Sequence, residues 1–83
     1  MQITEVNERI KVGAVFEGAH VIPKWFFWGR HKHNIQTVEH TWRSREGDTH
    51  LLFFSVTDGA NVYEIRLNQK TLEWRLEKVY MEG

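Results

Sequence analysis

Runs rich in Val, Ile, Phe, Trp, Tyr and Thr alternate along this chain with short polar clusters that signal turns. The clusters are Glu17-Gly18-Ala19, Gly29-Arg30, Glu46-Gly47-Asp48, Asp58-Gly59-Ala60-Asn61 and Asn68-Gln69-Lys70. Turn signals at such regular, short intervals predict an antiparallel β-meander. Six strands are expected, over about residues 10–16, 20–28, 31–44, 50–57, 61–68 and 72–80. In the last, Leu72, Trp74 and Leu76 alternate with Glu73, Arg75 and Glu77, the pattern of a half-buried strand with a charged outer face. The fifth sets Tyr63, Ile65 and Leu67 inward and Glu64 and Arg66 outward. The fourth, Leu51-Leu52-Phe53-Phe54-Ser55-Val56, is apolar on both parities and reads as a central strand.

The second strand departs most from simple alternation. Trp25-Phe26-Phe27-Trp28 puts aromatics on both parities, so both faces of this strand are apolar. One face can go to the core, and the other needs a partner, a ligand or a covering element. Pro23 has no N–H to give a ladder, so it belongs where this strand is unpaired on one side. In the third strand, Ile35 lies opposite in parity to both Val38 and Trp42. An extra residue near Gln36-Thr37 would return all three to one face, which predicts a β-bulge there. At the start of the chain, Ile3, Val6 and Ile10 fit a helical stripe, while Val6, Ile10 and Val12 also suit a strand. A short N-terminal helix is therefore one of two readings. Six strands of this length should curl into a small barrel or a strongly twisted sheet, which limits edge exposure, and the reading adopted is a small SH3-like or OB-like barrel.

At 83 residues the chain makes one domain, 1–83, with no linker, repeat or low-complexity segment. So short a chain buries a modest fraction of its surface. Four Trp, five Phe and two Tyr compensate, each able to bury a large area. Self-association is a second way to gain buried area. The absence of cysteine excludes disulfides and thiolate metal sites. With no signal-peptide pattern at Met1-Gln2-Ile3-Thr4-Glu5-Val6, it points to a cytoplasmic protein. No apolar run is long enough to span a membrane.

Net charge is formally zero but uneven: −1 over residues 1–23, +4 over 24–45 and −3 over 46–83. The basic middle coincides with the aromatic strand and with His31, His33 and His40.

The spacing resembles that of a family of short bacterial proteins with a domain of unknown function. It is carried by Asn7-Glu8, Ile10, Val12, Phe16-Glu17, Pro23, Phe26, Trp28 and Gly29-Arg30. It continues through His33, at a place usually held by Tyr, then Ile35, Val38, Trp42-Arg43, Phe54, Val56, Tyr63-Glu64-Ile65, Thr71, Trp74, Leu76 and Tyr80. The resemblance implies an all-β fold without an established activity, and a faint link to nucleic-acid work through related domains found near error-prone DNA polymerase accessory proteins. It also implies that Phe26 and Trp28 are core. Trp25 and Phe27 then face away, and Phe53, opposite in parity to Phe54 and Val56, can share that second face.

Candidate chemistry is sparse. His31-x-His33 has a spacing that can chelate a metal, but no compact third ligand accompanies it. The carboxylates sit in turns (Glu46, Asp48, Asp58) or on outer strand positions (Glu64, Glu73, Glu77), a poor basis for an acid/base pair. Ser44 and Ser55 lack a nucleophile-elbow context, and no phosphate-binding loop is present. The reading is of a protein that is not an enzyme and uses no cofactor or metal. Its expected binding residues are Trp25, Phe27 and Phe53, fringed by Arg30, Lys32 and Arg43. A protein partner or a second copy of the chain fits these residues with fewest assumptions, since Trp, Phe and Arg concentrate at interface centres. The alternative is single-stranded nucleic acid stacked on the same rings. A further alternative buries the rings within the monomer, under the N-terminal segment or by barrel closure.

Overall fold

A computed structural model describes residues 1–81. The chain forms β1 (Gln2–Glu17), β2 (His20–Trp28), β3 (His31–Asn34), β4 (Thr37–Glu46), β5 (Thr49–Thr57), β6 (Asn61–Asn68) and β7 (Trp74–Met81). All belong to one antiparallel sheet in the order β3-β2-β1-β7-β6-β5-β4. No helix occurs among the described residues, and none is therefore long and apolar enough to cross a membrane.

Two features of chain path curl this sheet. First, β1 serves two partners in turn. Gln2–Ile10 pairs with β7, with Gln2 opposite Met81, and Lys11–Glu17 pairs with β2. Second, the two edge strands, β3 and β4, are consecutive in the chain. The Ile35 N–H donates to the Lys24 carbonyl at 2.9 Å, and the next N–H, of Gln36, donates to the Thr57 carbonyl at 2.8 Å. One residue completes the ladder with β2 and its neighbour opens the ladder with β5. Successive Cα atoms lie about 3.8 Å apart, so the far edges of the sheet must meet at this corner.

The core lies inside the curl. Ile10, Phe26, Leu52, Phe54, Val56, Tyr63, Ile65, Leu67, Leu76 and Val79 form one buried cluster. Partly buried Val6, Val12, Val21, Trp28, Ile35, Val38, Trp74 and Met81 pack against it. Alternation along β6 works as the sequence suggests, with Tyr63, Ile65 and Leu67 all buried.

Several expectations need correction. There are seven strands, not six, because the expected third strand breaks at Ile35–Gln36, where the chain changes partners. The sheet is not closed into a barrel, since no ladder joins β2 or β3 to β4. The N-terminal residues make strand rather than helix. Their β-compatible positions find a partner in β7, and a register shift between Glu5 and Glu8 absorbs the irregular spacing. There Asn7 takes φ 51°, a left-handed value that Asn tolerates. Arg75 fastens this bulge by donating to the Asn7 carbonyl at 2.8 Å and to Asn7 Oδ1 at 3.2 Å. The bulge expected near Gln36-Thr37 falls between Val38 and His40 instead. The corner at Ile35–Gln36 lets both Ile35 and Val38 pack against the core, while the bulge after Val38 turns Trp42 out on the opposite face. The last strand starts at Trp74, not Leu72. β5 is paired on both sides, as its apolar character requires, yet stands one strand from the edge rather than at the centre.

Candidate functional site

The aromatic strand divides its rings as strand alternation demands. Phe26 is fully buried and Trp28 packs against the core, while Trp25 and Phe27 lie on the outer face. Both outer rings are half-buried rather than bare. Trp25 stands across the β1–β2 ladder from Gly13 and lies over it so closely that a Cβ there would collide with the indole. Phe27 meets Trp25 edge-on, with ring centroids 5.6 Å apart. Lys32 places its ammonium 5.3 Å from the Trp25 ring, and Lys11 places its own 5.9 Å from the Phe27 ring. Both are cation–π contacts that cover the rings with the molecule's own charges. Arg30 sits exposed in the β2–β3 turn beside them, next to Gly29, whose φ of 63° the turn requires. Pro23 comes just past the end of the β2–β3 ladder, beside a register shift, so its missing N–H leaves no gap in pairing.

Phe53 does not join this group. It lies on the outer face of β5, four strands along the sheet from β2, and stacks flat on Trp42 with centroids 5.3 Å apart and planes at 6°. Trp42 remains 40% exposed. Beside this pair is an open hollow of about 530 Å³ lined by His40, Ser55, Val62, Glu64, Tyr80 and Met1. Arg43, next to Trp42, belongs to the other face, opposite Leu52. The six expected binding residues therefore fall into three places. Trp25, Phe27, Arg30 and Lys32 gather on β2, β3 and their turn, Phe53 sits on the outer face of β5, and Arg43 lies on the other face of β4.

Sequence reasoning missed Trp42 as a surface ring, because a bulge at Glu39 is needed to turn it outward. It also missed Lys11, whose partner Phe27 follows only from the β1–β2 register.

A third cluster ties the two ends of the curl together. Tyr63 donates its hydroxyl to Asp58 Oδ2 at 2.9 Å, and His33 Nδ1 lies 3.4 Å from both oxygens. The His33 ring also stacks on Phe26 at 4.9 Å. Asp58 Oδ1 accepts from the N–H groups of Ala60 and Asn61, each at 2.9 Å, which shapes the β5–β6 turn. Desolvation raises the Asp58 pKa, but the hydrogen bonds from Asn61, Ala60, Tyr63 and His33 outweigh it and hold the carboxyl at about 2. Burial pushes the Tyr63 phenol above its ordinary value, with Asp58 adding to the shift against the hydrogen bond from Asn61. His33 thus joins β3 to the β5–β6 turn, while His31 is exposed at the start of its strand. Among the described residues, no three His, Cys, Asp or Glu side chains gather where they could hold a metal ion.

The chain matches no family model, no curated protein and no solved structure.

Proposed function

We propose that this chain is a non-catalytic interaction module that associates with a second copy of itself through the outer face of β4 and β5. The observation that carries this reading is the Trp42–Phe53 stack, a flat aromatic surface with Trp42 40% exposed. Exposed Met1 and Ile3 extend apolar surface toward the far side of the same face, past Tyr80 and Val62. Aromatic residues in such a position are the usual anchors of an interface. A formal net charge of zero lets identical copies approach without mutual repulsion. The scattered placement of carboxylates in turns and on outer strand positions supports a role without catalysis. Kinship with the short bacterial family and a cytoplasmic location belong to the same proposal, on the spacing pattern and the cysteine-free composition.

Sedimentation velocity over a range of protein concentrations tests the reading. The wild type is expected to shift toward a dimer with concentration and to keep doing so in added salt. Trp42→Ser is expected to stay monomeric. A wild type that sediments as a monomer throughout would overturn the proposal.

A second reading, single-stranded nucleic-acid binding, draws on the other ring pair. Lys11 and Lys32 lie against Phe27 and Trp25, with Arg30 in the adjoining turn. To stack a base, the ammonium groups would have to leave the rings for phosphates. This reading expects tryptophan fluorescence to be quenched by an oligothymidylate, with affinity falling steeply as salt rises.

A further inference from the structure

We infer that the hollow between β2 and β4 binds a single medium-chain fatty carboxylate, with its tail toward the corner at Ile35–Gln36 and its head at Arg43. The hollow follows from that corner. β3 covers the free side of β2 only from Trp25 to Trp28, so His20–Pro23 has no strand beside it on that side. Beyond the corner, β4 pairs with β5 alone. No ladder joins β2 to β4, and the space they flank measures about 530 Å³. That size lies in the range of small-molecule sites, which are mostly apolar with a few polar groups that fix the ligand's orientation.

Polarity changes in one direction along this hollow. Antiparallel partners share a face, so Val38, Thr41, Arg43 and Arg45 of β4 lie on the core-facing side, opposite Val56, Phe54, Leu52 and His50. Nearest the corner are Val38 on β4 and fully buried Pro23 on β2, beside the Lys24 carbonyl that the corner uses. Val21 and Leu52 continue the apolar wall. Thr41 and Arg43 follow away from the corner, and His20 stands at the same end at the start of β2. Arg45 lies beyond them on the same side. Val38 and Arg43 are roughly 15 Å apart along β4, at about 3.3 Å per residue and with a bulge between them. A medium-length acyl chain spans that distance. Arg43 makes no ion pair among the described residues, and no carboxylate lines the hollow. A guanidinium holds a carboxylate through two parallel hydrogen bonds, so the head group supplies the charge that the chain itself does not. A peptide strand would turn every second side chain away from this side, whereas an acyl chain presents its whole length and its head along one wall. The site does not depend on self-association: the Trp42–Phe53 stack lies on the outer face, and Trp42 only borders the hollow from the edge of β4.

The test is an NMR titration of the full chain with decanoate, against decyltrimethylammonium and butyrate. Decanoate is expected to shift the amides of Val21, Val38, Thr41, Arg43 and Leu52 and to saturate at one equivalent. Decyltrimethylammonium has the same tail and the opposite charge, and should leave these amides in place. Butyrate lacks most of the tail and should bind at least about tenfold more weakly, because buried methylenes supply much of the affinity. Arg43→Gln is expected to weaken decanoate by about tenfold or more. Arg43 is exposed, so the variant should fold, and circular dichroism checks this. No saturable binding at about 1 mM decanoate would overturn the inference. So would equal binding of the cationic amphiphile, an Arg43→Gln variant as tight as wild type, or shifts confined to the outer face around Phe53. Butyrate as tight as decanoate would leave only a surface arginine that pairs with any carboxylate, which also overturns it. Cosedimentation with phosphatidylglycerol vesicles without binding of free decanoate would assign the basic end to a membrane surface instead. Hollow amides that shift on concentrating the protein alone would assign the gap to a second copy, and would overturn it too.

Discussion

The indole of Trp25 rests on Gly13 across the β1–β2 ladder, in space that only a residue without a side chain leaves open. A sheet glycine ordinarily weakens its strand, so close approach of a ring is the compensation. Gly13→Ala should drive Trp25 off the sheet and break its edge-on contact with Phe27. The expected loss is about 1–3 kcal/mol, as for other overpacking changes. Thermal unfolding and a red shift of tryptophan emission measure it. A variant as stable as wild type would mean that Trp25 has an equally good alternative position.

Phe26 and Trp42 should respond to truncation very differently. Phe26 is fully buried between His33 and Tyr63, and Phe26→Ala is expected to cost about 3–5 kcal/mol. Trp42 is stacked on one side and open on the other, so Trp42→Ala is expected to cost only about 1 kcal/mol while abolishing self-association. Urea denaturation of dilute samples separates the two, and equal losses would place Trp42 among the core residues.

Acid should weaken the fold through Asp58. Its carboxyl is held at about 2, below the ordinary 3.8. A depressed carboxylate contributes stability that is complete above the unfolded value and is lost as pH falls toward the folded one. The window is thus from pH 3.8 down to about 2. The contribution is about 1–2 kcal/mol after allowance for solvent around a half-buried turn. Asp58→Asn keeps an acceptor for the turn but lacks the titration. Urea midpoints at about pH 5 and about pH 2.5 should therefore converge between wild type and variant as pH falls. A constant gap would remove Asp58 from the account.

Leu72 is an unfavourable residue where it stands. It is 69% exposed with φ 65°, a left-handed backbone that costs a leucine about 1–2 kcal/mol. Its N–H still donates to the Asn68 carbonyl at 2.7 Å, so the turn requires this conformation. Leu72→Asn should raise stability by about 1 kcal/mol, read as a higher melting temperature. An unchanged or lower melting temperature would show that the leucine packs usefully in the turn.

Residues whose neighbours lie close in the chain were legible from sequence. The inward set of β6 and the five turns follow from alternation and turn chemistry, which also split the β2 rings into two pairs, although the choice of Trp25 and Phe27 as the outward pair rested on the family resemblance. What escaped depends on partners distant in sequence. Glu39 carries no mark of a bulge, because a bulge is a relation between β4 and β5. The break at Ile35–Gln36 is set by which carbonyls wait on β2 and β5, and Leu72 looked like a strand residue because its parity matched Trp74. The surface was misread for the same reason: parity assigns a face to each ring, but only the strand order shows that Phe53 lies far from Trp25 on a curved sheet.

The pairing of Gln2 with Met81 has a consequence for synthesis. Gln2–Ile10 finds its neighbour only when β7 has been made, so during synthesis this half of β1 must wait while all the strands between them emerge. Nearby hairpins can form during that interval, but joining β1 to β7 closes the longest loop in the described sheet, which makes this step slow. Until then the unpaired flank of Gln2–Ile10 is open to other chains, and that interval is when this sheet is most exposed to aggregation.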